Sequence, residues 1–174
     1  MGKVIVAFTQ LEDMISVSFS LLLGCEPQLA SILANALPTR ERCDTLFHIF
    51  AYRFGSADSI RTGKNPRSSK NIRLLSTLFT KINEAATIRN TIVHSSWSAS
   101  DEDKQQAHRL KWTRKRAQPG FPSSDYSLLS PEDILKHVDF IDNVRHELHL
   151  FLWDNFSPWF QQRAKNGEGG LMMV

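Results

Sequence analysis

The run Arg89-Asn90-Thr91-Ile92-Val93-His94 places a permanent cation and a titratable imidazole five positions apart. Arginine does not lose its charge, and its planar fork of N–H donors matches the oxygens of a carboxylate or a phosphate. An imidazole changes charge near pH ~6.5, so it can give or take a proton at neutral pH. Asn90 lies one helical turn before His94 and can orient the imidazole or hold an anion. This set suits the stabilisation of developing negative charge together with proton transfer.

The element that carries these residues makes their placement informative. Ile72, Leu75, Phe79, Ile82, Ala86, Arg89 and Val93 recur at spacings of three and four, which is one helix face turned to a core. Arg89 therefore occupies a core slot, where it must meet a carboxylate or open onto a cleft that receives an anion. A second odd residue sits on the first helix, where Glu12 shares a face with Ile5, Phe8, Ile15, Phe19 and Leu22. The two charges are opposite, and we expect Glu12 to pair with Arg89 across the protein and support the site.

Around that helix the pattern predicts further elements: a helix from about Val4 to Leu23, a short one after Pro27, and one from Thr39 to about Phe54. The motif helix itself runs from about Ser69 to His94. Ser130-Pro131-Glu132-Asp133 then starts a last helix, with an N-cap serine, proline at the first position and acids in the first turn. From Ser95 to Ser130 the helical period is lost, and the alternating Arg109, Lys111, Thr113 run suggests a small β-hairpin with a long tip. The expected fold is all-α: an up-and-down helical bundle of four long helices plus a short one, with a hairpin insertion before the last helix. Residues 1–165 form one domain in this reading, and 166–174 a frayed Gly-rich tail.

Composition bounds the function classes. The 174 residues are enough for one domain that buries roughly 70% of its unfolded surface, with no need of disulfides or metal. Cys25 and Cys43 form no Cys-x-x-Cys pattern and no secretory leader is apparent, so both read as thiols in a reducing, cytoplasmic setting. Gln10, Glu12 and Asp13 interrupt the apolar N-terminal run, which reads as a core helix and not as a membrane span. The net charge of +3 hides two acid-free basic runs, Arg61 to Arg73 and Arg109 to Arg116. Together they hold ten of the 21 lysines and arginines. Arg109, Lys111, Arg114, Lys115 and Arg116, with Trp112 among them, suit contact with a phosphate backbone and a stacked base; the charges equally suit a solvated loop, and for Trp112 the favoured reading is the apolar anchor of the hairpin on the bundle. His146 and His149 face one side of the last helix but have no third ligand, so no metal site is expected. Phosphate-binding Gly loops and nucleophile elbows are missing from the sequence. Several aromatics on more than one face of the last helix, Phe151, Trp153, Phe156, Trp159 and Phe160, suggest burial in a dimer interface.

The Arg-Asn-x-x-x-His motif at the end of a bundle helix resembles the signature of the HEPN superfamily, and the run Arg-Asn-Thr-Ile-Val-His-Ser-Ser-Trp is similar to that of small bacterial HEPN-like proteins. The resemblance implies a metal-independent endoribonuclease without cofactor, often a toxin or phage-defence effector with an antitoxin or other regulatory partner. It implies a homodimer in which two Arg/His pairs line one cleft, with RNA as the substrate. Arg89, Asn90 and His94 are then the catalytic set, Arg89 holding the phosphoryl oxygens and His94 carrying the proton. Where HEPN toxins neutralised by nucleotidyltransferases have a tyrosine two residues after the histidine, this chain has Ser96. The alternative reading is a non-catalytic HEPN-like module that binds nucleic acid or nucleotide, or serves assembly, with Arg89 locking the fold and His94 capping helix carbonyls.

Overall fold

Proline, serine and glycine set the boundaries of the helices. The computed structural model describes residues 1–54, 66–99, 106–113 and 123–165. In chain order these form α1 (Gly2–Leu23), α2 (Pro27–Asn35), α3 (Thr39–Phe54), α4 (Pro66–Val93), β1 (Ser96–Ala99), β2 (Ala107–Thr113), β3 (Ser123–Leu129) and α5 (Pro131–Lys165). Pro27, Pro66 and Pro131 each open a helix, where a fixed φ helps and a missing N–H costs nothing. At the start of α5, Ser130 Oγ accepts from the Asp133 N–H at 3.2 Å, and the Ser130 N–H donates back to Asp133 Oδ2 at 3.1 Å. This reciprocal cap satisfies donors that a helix start would otherwise leave open. Gly24 ends α1 at φ 65°, a left-handed conformation costly for a side chain, and its N–H bonds the Ser20 carbonyl at 2.8 Å.

Helix α1 is the centre of the core. Val4, Phe8, Leu11, Ile15 and Phe19 are buried on one stripe, and the helix packs against α2, α3, α4 and α5. By length and composition, with a mean hydropathy of 1.4, α1 is apolar enough to cross a membrane, and 50% of that window is buried within the protein. Helices α4 and α5 run antiparallel: Asn71 Nδ2 donates to Asn155 Oδ1, and Lys81 Nζ reaches both Glu147 oxygens at 2.7 Å. Phe50 of α3 lies against Phe151 of α5 with ring centroids 5.3 Å apart. Each such side chain, fully buried, contributes ~1.5–3 kcal/mol. Phe151 and Phe156 therefore belong to the core, while Trp153 is half exposed.

The protein is thus mainly helical, but the insertion is not a hairpin. It is a three-stranded antiparallel sheet of order β1-β2-β3. Strand β1 has only four residues, too few to display an alternating pattern in the sequence. The register places Trp97 opposite Arg109, and Arg109 opposite Ser127. Because side chains alternate along a strand, these three residues share one face, together with Ala99, Ala107 and Leu129. That face turns toward the helices: Trp97 Nε1 donates to the Ile92 carbonyl of α4 at 3.0 Å, and β3 packs on α5. The expected tail 166–174 lies outside the described residues, as do Arg61, Lys64, Arg114, Lys115 and Arg116 of the basic runs.

Candidate functional site

The last turn of α4 positions the candidate residues. A helix end leaves its final carbonyls without amide partners, and a nearby side chain is often recruited to satisfy them. Here that work is done without the His94 imidazole. Ser95 Oγ donates to the Thr91 carbonyl, Trp97 Nε1 donates to the Ile92 carbonyl, and the His94 backbone N–H bonds the Asn90 carbonyl at 3.0 Å. The His94 side chain is exposed, and among the described residues it makes no hydrogen bond or ion pair. The imidazole is thus placed by its backbone and is open to solvent on the helix end.

Arg89 is half-buried, and its Nη1 donates to Asn90 Oδ1 at 2.8 Å. Its Cζ stands 6.0 Å from the centroid of the Phe8 ring of α1, at the edge of cation–π range. Both neighbours hold the guanidinium without cancelling its charge. Asn90 is therefore the support of Arg89, where the sequence allowed it to serve His94 instead. At ~100° per residue, Arg89 and His94 stand about 140° apart around the helix, so they flank its end and do not stack on one face.

The expected Glu12–Arg89 ion pair is not formed. Glu12 Oε1 pairs instead with Arg42 Nη1 of α3 at 3.3 Å, and Arg42 Nε donates to the Leu37 carbonyl at 2.7 Å. Arg42 is 8% exposed, so its charge needs the carboxylate beside it. Glu12 fastens α1 to α3 and has no part in the Arg89 arrangement. Arg42 was missed as its partner, although Arg42, Leu46 and Phe50 follow one another at four-residue steps along the apolar face of α3. A core-slot arginine was legible there in the same way as Arg89.

The second basic run is split. Arg109 turns inward and is buried, with Nε donating to Ser127 Oγ at 2.8 Å. Strand alternation explains why composition misplaces it: a run of cations on a strand points to both sides of the sheet. Lys111 and Trp112 lie on β2, and their side chains are outside the described residues, as are Arg114, Lys115 and Arg116.

His146 and His149 are both exposed on α5, and among the described residues no three His, Cys, Asp or Glu side chains group as a metal site. Burial pushes the Cys43 thiol up to about 12, with Asp44 adding to the effect and Arg42 opposing it. A thiol so disfavoured as thiolate is a packing residue and not a nucleophile.

No family model, curated protein or solved structure matches this chain. The functional reading therefore rests on the chemistry at the end of α4.

Proposed function

We propose that this chain is a metal-independent endoribonuclease of HEPN type, built on an up-and-down bundle of α1, α3, α4 and α5. The observation that carries the reading is that Arg89 and His94 serve no evident structural need: the guanidinium faces a neutral amide, and Ser95 and Trp97 close the helix end in place of the imidazole. A half-buried charge with no carboxylate on it and an exposed imidazole, neither with a stabilising duty, suit a substrate. In the proposed reaction the ribose 2′-hydroxyl loses its proton and attacks the adjacent phosphorus. The new bond is O2′–P, the bond broken is P–O5′, and the departing 5′-oxygen takes up a proton.

Arg89 would bind the non-bridging oxygens, where charge grows in the crowded intermediate. His94 would carry the proton. One imidazole per chain provides one carrier, so a base and a separate acid call for a symmetric dimer that brings two copies of His94 to one scissile bond. Asn90 holds the arginine fork in place. A reducing cytoplasmic setting and a role as toxin or phage-defence effector fit this chemistry.

The test is cleavage of end-labelled structured RNAs in EDTA by the wild type and by His94→Ala. Products with 2′,3′-cyclic phosphate ends that disappear in the variant support the proposal. Intact RNA with a folded, dimeric wild type would leave the non-catalytic module as the better reading.

A further inference from the structure

The outer side of α5 carries a seam that the core does not use. Ile141, Val144, Leu148 and Leu152 turn inward, on the side of the helix that packs against α1 and α4. On the opposite side Leu135, Asp139, Asp142, His146, His149 and Trp153 follow one another at alternating steps of four and three. A mean step of about 3.5 residues keeps side chains in one nearly straight line, which is the spacing of a seam between two packed helices. The line is at the surface throughout. Leu135 is 43% and Trp153 54% exposed, and Leu150 beside Trp153 is 46% exposed. Asp139, His146 and His149 are exposed, and Asp142 is partly so.

The chemistry along this line is directional: apolar, two acids, two imidazoles, apolar. Parallel pairing with a second copy would set acid on acid and imidazole on imidazole, which opposes association. Antiparallel pairing does the reverse. With a two-fold axis beside Val144, Leu135 meets Trp153 of the second copy, Asp139 meets its His149 and Asp142 meets its His146, and the symmetry repeats all three contacts. One axis thus matches every position of the seam. A carboxylate has only acceptors and an imidazole has at least one N–H, so each acid can accept a hydrogen bond from the imidazole facing it. Asp142 already meets Arg145 Nη2 of its own helix at 3.3 Å through Oδ1, which leaves Oδ2 for the histidine. The apolar pairs close the two ends of the seam, ~27 Å apart at 1.5 Å per residue, and shield the polar pairs between them from water.

We propose that this seam joins two copies of the chain through an antiparallel α5–α5 contact. The Asn71–Asn155 and Lys81–Glu147 contacts put the axis level with about Glu84 of α4. That level is roughly ten residues, or ~15 Å, from His94, so the pair holds its two copies of His94 about 30 Å apart along the bundle. This contact is therefore separate from the one that would bring two imidazoles to one phosphate. It doubles whatever assembly the end of α4 forms and does not rest on the ribonuclease reading.

The experiment is sedimentation velocity in EDTA, which keeps metal ions from bridging the histidines. It compares the wild type with Leu135→Glu, with the double variant Asp139→Lys, Asp142→Lys, and with the double variant His146→Glu, His149→Glu. The substitutions lie at the surface, circular dichroism checks each fold, and Leu135→Glu decides the matter if a double variant does not fold. The wild type is expected to show twice the mass of each variant alone, with self-association weakened about tenfold or more. An equal mixture of the two double variants should recover the wild-type mass, because each lysine then faces a glutamate and each remaining acid an imidazole. General loss of stability cannot produce that recovery. A wild type with the mass of its variants, variants that associate as the wild type does, or a mixture without recovery would overturn the seam. None of these outcomes depends on ribonuclease activity.

Discussion

Arg42 and Arg89 present the same pattern in the sequence and opposite situations in the fold. Each takes a slot in an apolar helical stripe. Arg42 is nearly enclosed, gives one N–H to Glu12 and another to the Leu37 carbonyl, and ties α3 to α1 and to the turn before it. Arg89 stands at the edge of the core, held by an amide oxygen and an aromatic ring, and among the described residues no carboxylate comes within ion-pair distance. A charge on a core face thus has two resolutions, neutralisation by a partner or exposure at an element's end. Only the second leaves electrostatic capacity for a substrate.

The comparison can be broken most directly through activity. Arg89→Ala and His94→Ala are each expected to lower RNA cleavage by about 10²–10⁴-fold, the usual scale for losing an electrostatic or proton-transfer group. Both should shift thermal unfolding little, and an unfolded Arg89→Ala protein in circular dichroism would cancel the contrast. Asn90→Ala leaves the charge and removes its support, so a loss of roughly tenfold is expected in the same cleavage assay, and Asn90→Asp, which sets a carboxylate against the guanidinium, should lose more than Asn90→Ala.

Stability should rank the two arginines in reverse. Glu12→Ala leaves the enclosed Arg42 without its carboxylate and is expected to cost about 2 kcal/mol in urea unfolding, below the ~3–5 kcal/mol of fully buried pairs because Glu12 keeps some access to water. Arg89→Ala should cost less than about 1 kcal/mol in the same measurement. Equal costs would mean that both arginines are structural.

Smaller effects come from the α5 start and from the thiol. The Lys136 ammonium and the Ser130 hydrogen bonds hold the Asp133 carboxyl down at about 2. A depressed folded-state value gives stability that is present above the unfolded carboxylate range, near pH ~4, and is lost as pH falls through about 2. Asp133→Asn should therefore flatten the acid limb of the stability profile between those limits, read as unfolding midpoint against pH. Cys43 should resist thiol reagents in the folded protein at neutral pH and react on unfolding, while half-buried Cys25 reacts first.

What could be read in the sequence follows from the range of each physical rule. The Ser130-Pro131-x-Asp133 start was legible because capping is decided within four residues. Arg89 stood out because a 3.6-residue period needs only its own helix. The partner of Glu12 was not legible in the same way: periodicity gives the face a residue occupies but not which neighbouring helix meets it, and α3 takes the place assigned to α4. Arg109 was misplaced for a related reason, since a count of cations contains no information about strand sidedness until β1 and β3 fix the register. Strand β1 was hidden by its length.

Trp97 links the sheet to the end of α4 by a single indole N–H on the Ile92 carbonyl. An uncapped helix end frays on its own, and its amides exchange with solvent faster than those of the interior. Here the final turn cannot unwind without surrendering that bond, so the backbone amides of residues 91–94 should exchange at the rate at which the sheet opens. The Arg89 and His94 segment would then share one cooperative unit with strands up to 35 residues away, and its order would be set by the small sheet more than by the long helix that bears it.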